Sequence, residues 1–297
     1  MIKTPLSTVL GGAFWTPGCT VVGSTPNLDR QIAKLFSNGE QGFYYDPNDL
    51  NTMIQDAAGT VPVTDVGKPV GLLLDKSKGL VLGVEKKGTA TTQLVGSATA
   101  ATYNSSTGEA TCARAGVSNQ SFIRISGLTG TYYKLAITNT GTTPVSVRAG
   151  LNSNDQLILS VANGRSATFF IAPRNGAVTL TSGGGTASFT INYIKELTGN
   201  HAYQTTSASR PILQDAPRRI DFDAVDDKLI TNLPAQLTGC TVIRSVPNVG
   251  TQILIGQTIP ATYEDNKDHC GLIVINRVLT PSETSAITDE FNKRAGV

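Results

Sequence analysis

A chain of 297 residues has room for two or three compact units, and 24 basic against 22 acidic residues, net +2, exclude a charge-rich disordered chain. With 15% charged and 39% apolar residues, the remaining polarity comes from Thr, Ser, Asn and Gly, which suit the wet faces and turns of antiparallel sheets. Lys and Arg form no stripe, so nucleic acid is not an expected partner, and no run approaches the roughly 20 apolar residues that cross a bilayer.

The expected class is mainly β, in four consecutive pieces. Residues 1–83 read as a mixed docking or adaptor segment. No apolar segment with a cleavage site follows Met1-Ile2-Lys3, so no signal peptide is expected. Leu28, Ile32, Leu35 and Phe36 share one face at helical spacing, with Asn27 or Asp29 able to cap. A second helix is expected from Asp46-Pro47 through Leu50, Met53 and Ile54, and a buried strand over Val70–Leu74.

Residues 84–197 read as one antiparallel β-sandwich of jelly-roll type. Apolar and polar residues alternate through Phe122–Ile125, Tyr133–Ile137, Val145–Arg148, Leu157–Leu159, Thr168–Ile171, Val178–Leu180 and Phe189–Tyr193. Asn163-Gly164 and Asn175-Gly176 supply turn residues tolerant of positive φ. Each strand offers one apolar face, and two stacked sheets bury such faces.

Residues 198–219 carry Pro211 and Pro217 and no periodicity, and are expected to run extended as a linker. The small β module 220–297 alternates at Ile220–Asp223, continues through Thr241–Ile243, Gln252–Ile255 and Gly271–Ile275, and closes on a helix. Thr280 is its expected N-cap, Pro281 its first residue, Glu283 the partner in a capping box, Ile287 and Phe291 its apolar stripe, and Gly296 its stop.

The candidate chemistry is sparse, and no cofactor is expected. Asp221, Asp223, Asp226 and Asp227 offer oxygen ligands for calcium, against the ordinary reading of a turn whose carboxylates hold backbone amides. Nothing in their spacing shows the opposed pair that a glycosidase needs. Cys19, Cys112, Cys240 and Cys270 contain no Cys-x-x-Cys pair, so buried free thiols are expected, with the pairing of Cys240 and Cys270 left open. His201 and His269 are the only histidines; His269 and Cys270, adjacent in a strand, point to opposite faces, which argues against a thiol–imidazole pair. Trp15, Tyr103, Tyr132 and Tyr133 are candidates for stacking on sugar rings, and alternation puts Tyr133 inside with Leu135 and leaves Tyr132 outside.

Phe36–Leu50, Gln55–Thr64, Gly71–Ser77 and Gly199–Pro211 resemble stretches of proteins from the structural-gene regions of tailed bacteriophages. Ile220–Asp227, His269–Arg277 and Leu279–Gly296 resemble a shortened concanavalin-like or laminin-G-like domain. The middle of the chain departs from that pattern. The resemblance implies a virion structural protein, made in the host cytoplasm, associated with tail fibre or baseplate and acting through other virion proteins. Capsid decoration is the alternative, and a carbohydrate-binding receptor module that contacts host-surface polysaccharide is a second. No enzymatic activity is expected. Too short for a complete sandwich, the last domain is expected to cover its sheet edges with neighbouring modules or subunits, a homotrimer being the favoured form.

Overall fold

The computed structural model describes residues 28–297, preceded by the backbone of two paired strands, β1 (Val9–Leu10) and β2 (Ala13–Phe14). Trp15, Cys19 and Asn27 lie outside the described residues. Helix α1 (Leu28–Leu35) forms on the expected spacing and buries Leu28, Ile32 and Leu35. Strands β3 (Gly42–Tyr45), β4 (Met53–Ile54) and β5 (Leu72–Leu73) follow.

The helix expected from Asp46-Pro47 shrinks to a single 3-10 turn, Leu50–Thr52. Asp46 and Asp49 turn their carboxylates back onto the amides of Asn48 and Asn51. Local bonds of this kind compete with helix propagation. Met53 then goes extended, and its carbonyl accepts the Val63 amide.

Eleven strands make one antiparallel sheet from the middle of the chain: β6 (Leu82–Glu85), β7 (Ala90–Val95), β8 (Thr102–Tyr103), β9 (Glu109–Gly116), β10 (Asn119–Ser126), β11 (Tyr133–Asn139), β12 (Val145–Ala149), β13 (Gln156–Val161), β14 (Ser166–Ile171), β15 (Ala177–Ser182) and β16 (Gly185–Leu197). The order β13-β12-β15-β10-β9-β16-β11-β14 starts and ends on strands consecutive in sequence, so the sheet curls into a nearly closed barrel. All seven alternating runs read from the sequence fall in these strands. Their inward residues, among them Ile123, Leu135, Val147, Leu180 and Phe189, fill one core. The two stacked sheets expected there are the two sides of this single rolled sheet. Short or bulged strands such as β6 and β8 escaped the sequence reading because they offer little period to see.

The chain then returns through β17 (Ala202–Tyr203), β18 (Ile212–Gln214), β19 (Arg219–Asp221), β20 (Leu229–Asn232), β21 (Leu237–Val246), β22 (Gly250–Ile259), β23 (Thr262–Asp265) and β24 (Gly271–Ile275), and ends in α2 (Pro281–Ala295). Every expected feature of α2 is present: the Thr280–Glu283 capping box, Pro281 in the first turn, Ile287 and Phe291 buried, and Gly296 at φ 85°.

Strand pairing joins the two ends of the chain into one module. β3 pairs with β24, giving the four-stranded sheet β22-β21-β24-β3. β5 pairs with both β4 and β17, giving the five-stranded sheet β23-β20-β17-β5-β4. The two sheets bury Phe43, Tyr45, Met53, Leu73, Leu229, Val242 and Leu272 between them. On its other face the four-stranded sheet meets both helices through Tyr44, Ile243, Ile273, Ile287 and Phe291. Covered on both sides, β24 and β3 are buried at every residue, which explains runs without alternation.

Residues 28–74 thus complete the sandwich that 220–297 lacks alone, rather than 1–83 standing as a separate segment, and Leu82 and Gly83 already belong to barrel strand β6. The stretch 198–219, expected as a surface linker, supplies β17 and the β18–β19 hairpin, with His201 and Gln204 buried. Its polarity serves internal bonds: Asn200 Nδ2 donates to Gly42 O, Gln204 Nε2 to Lys228 O, and Arg210 to the carbonyls of Gln204, Gln55 and Thr205. The barrel is an insertion between two hydrogen-bonded strands, β5 and β17.

Candidate functional site

The barrel's point of attachment is held by a dense group of polar contacts. The chain leaves the sandwich after Leu74 and re-enters before Ala202, and three side chains lock the crossing. Asp75 Oδ1 accepts the amides of Tyr44 (2.9 Å) and Ser77 (2.8 Å), and Oδ2 accepts that of Asn200 (2.8 Å). The Asp75 amide donates to His201 Nδ1 (3.0 Å), so the ring proton sits on Nε2, which faces Leu197 O at 3.1 Å. Burial holds His201 below its ordinary pKa of 6.5, outweighing the pull of Asp75 toward the charged form. Tyr45 Oη closes the group on Asn200 O at 2.6 Å.

An apolar seam runs beside this clasp. Ile54, Leu72 and Leu74 of the sandwich pack with Tyr132 and Leu197 of the barrel. Tyr132, expected on the outside as a sugar platform, is 2% exposed and gives its hydroxyl to Ala57 O. Tyr103 is half-buried against the barrel core and bonds Lys87 O. Tyr133 is inside, as expected. The hairpin around Ala57 lies between two open clefts of about 460 and 440 Å³, one reaching Arg174 and Arg210, the other Lys134 and Phe170.

At the open side of the sandwich, β21, β22 and β23 frame a third cleft of about 270 Å³ over Arg244, Tyr263 and Asp265. The Arg244 guanidinium is committed: Nη1 donates to Lys267 O at 2.6 Å, and Nη2 to Asp265 Oδ1 at 2.9 Å. Burial pushes the Asp265 carboxyl up, but Arg244 and His269 outweigh it and hold it below the usual carboxylate value. His269 Nε2 stands 3.0 Å from Asp265 Oδ2, out of hydrogen-bond alignment, with the ring wholly buried. The Arg244–Asp265 ion pair, with its bond to Lys267 O, fixes the β23–β24 connection, and its two charges are already matched.

The remaining candidates separate. Asp223, Asp226 and Asp227 bring carboxylate oxygens within 4.8 Å of one another, while Asp221 turns away onto Arg219 at 2.8 Å. Asp223 Oδ1 is occupied by the amides of Val225, Asp226 and Asp227, which lower its pKa. Asp226 accepts the Ser209 hydroxyl at 2.6 Å, and Asp227 Oδ2 the Asp223 amide. These are the contacts of an acidic turn. Cys112, Cys240 and Cys270 are free and buried. Burial pushes the Cys112 thiol up to about 12 and that of Cys270 to about 11, the reverse of a reactive thiolate.

The clasp residues Asp75 and Asn200 were missed in the sequence. Their only signal is polarity in the flanks of buried strands, which reads equally as loop.

No family model matches the chain, and no curated protein matches it. Among solved structures, one described as a glyoxylate-induced protein of Pseudomonas aeruginosa aligns over 81% of this chain and 98% of its own, at 10% identity and a TM-score of 0.16. At that score the likeness carries no argument about fold or function.

Proposed function

We propose that the chain is a structural protein of a bacteriophage particle, associated with tail fibre or baseplate, in which the sandwich mounts on other virion proteins and the barrel is displayed outward. One observation carries the reading. The stretches that resemble phage structural proteins, at both ends of the chain, assemble into the sandwich: Phe43–Tyr45 lies beside Leu272–Ile275, and Leu72-Leu73 beside Ala202-Tyr203. The stretch that departs from the resemblance is the inserted barrel. A shared mount with a divergent load suits a particle component that works by contact. Its chemistry is assembly and, through the barrel, contact with host-surface polysaccharide, not turnover.

Antibodies against the barrel and against the sandwich test this on intact particles by electron microscopy. Barrel antibodies should decorate the tail and sandwich antibodies should bind only after disruption. Label confined to the head would replace the tail assignment with capsid decoration, and absence of the chain from purified particles by mass spectrometry would end the reading. Release of reducing sugar from host capsule would overturn its non-enzymatic part.

A further inference from the structure

Strand β22 ends the four-stranded sheet, and no described strand pairs with its outer edge. Its ten residues, Gly250–Ile259, include no charge and no proline, so the usual protections of an edge are missing. Leu254 is 42% exposed and Ile255 59%. Inward, β22 pairs with β21, with Ile243 opposite Ile253 and Val242 opposite Leu254.

The direction of each main-chain group follows from one bond. The Thr251 amide points away from β21, because it donates to Asn292 Oδ1 of α2 at 2.8 Å. Along a strand, alternate residues present their amide and carbonyl to the same edge. Ile253 and Ile255 therefore offer theirs to solvent; the Ile255 carbonyl takes only the exposed Gln257 side chain, at 3.1 Å. The open stretch is bounded on both sides. Asn292 occupies Thr251, and Gly256, at φ 74°, lies where the register with β21 shifts.

We propose that β22 is a homodimer edge, pairing antiparallel with β22 of a second copy about a two-fold axis at Leu254. A symmetric antiparallel pair must place one residue opposite its own copy, since the axis passes through a residue pair. Centred on Leu254, Ile253 meets Ile255 of the other copy and Ile255 meets Ile253, so every open group finds a partner. Centred on Ile253, the pair would need the Thr251 amide that Asn292 holds; centred on Ile255, it would run into the register shift at Gly256. The triplet Ile253-Leu254-Ile255 reads the same in both directions, so an antiparallel second copy sets Ile against Ile and Leu against Leu. Such a contact closes at two copies and joins two four-stranded sheets into one of eight. It stands independently of the virion reading and replaces the expected trimer as the first assembly step.

Sedimentation of the full chain at micromolar concentration tests the proposal. The chain should run at twice its 31.2 kDa mass. Leu254→Lys places like charges opposite each other and should give a monomer that still melts cooperatively, at a temperature that no longer depends on protein concentration. Ile255→Pro removes a donor that the β21 ladder does not use, and should do the same. Leu254→Cys should cross-link to a covalent dimer on oxidation, because residues in such a pair stand about 4.5 Å apart at Cα, within disulfide reach. Gln252→Cys should not cross-link. A wild-type monomer or trimer, or a dimer that survives both Leu254→Lys and Ile255→Pro without cross-linking at Leu254→Cys, would overturn it.

Discussion

The barrel and the sandwich follow opposite plans. Every strand of the barrel finds its partners within residues 82–197, and most strands are five residues or longer with one wet face. The sandwich is closed by strands of two to four residues: β3 pairs with β24 and β5 with β17 across the whole insertion, and β4 lies beside β5. One module therefore carries its instructions locally, while the other depends on two chain ends finding each other. Pairing of the second kind must first pay the entropy of closing a long loop, which a folded insert shortens by holding its own ends together.

The largest expected effect comes from cutting the chain along this difference. Fragment 80–198 should fold alone and melt cooperatively, whereas fragment 220–297 should show no cooperative transition, having lost β3, β4, β5 and β17. Joining Asp75 to Asn200 through a short glycine link should restore a cooperative sandwich without the barrel. Circular dichroism melts of the three pieces decide the matter; a cooperative 220–297 would break the comparison.

Within the sandwich, Asp265→Ala leaves Arg244 buried without its partner and should cost about 3–5 kcal/mol. In denaturant melts of the full chain that loss should fall on the sandwich and spare the barrel. The same carboxyl has a lowered folded pKa, so its contribution is complete above the unfolded value of 3.8 and is lost as pH falls through the folded value. Acid titration should accordingly loosen the sandwich in that window, and the variant should lack that part of the slope.

At the seam, His201→Ala orphans the Asp75 amide and the Leu197 carbonyl, for about 1–3 kcal/mol. His201 has a depressed folded pKa, so its contribution is complete above the unfolded 6.5 and declines as pH falls from there toward the folded value. Wild-type stability should fall across that range more steeply than the variant's. Smallest of all, Thr280→Ala removes the α2 cap and should cost about 1 kcal/mol by equilibrium unfolding.

How much was legible follows from the same contrast. The alternation of Phe122–Ile125 or Phe189–Tyr193 reveals strand and facing together, because one side packs on the barrel core. The capping signals of α2 are local chemistry and needed no tertiary knowledge. Phe43-Tyr44-Tyr45 and Leu72-Leu73 are buried on both faces, so their sequence shows apolarity without period, and nothing local names a partner beyond the insertion. Tyr132 misled for a related reason: alternation placed it off the barrel core correctly, but that outer face is covered by Ile54 and Leu72 of the other module. The acidic group was half legible, since proximity in sequence gathered Asp223, Asp226 and Asp227, while Arg219 drew Asp221 aside.

Both crossings of the barrel leave and enter the sandwich at one spot, where Leu82 lies opposite Leu197 and the Asn200 amide touches Asp75. The mount thus works as a socket: its own strand order is complete whatever is plugged between β5 and β17. A foreign domain whose termini emerge side by side, and whose base covers Ile54, Leu72 and Leu74, would meet the same Asp75–Asn200 closure and leave the host strand order intact. Exchange of the carried cassette, by recombination or by design, therefore requires a change at a single address.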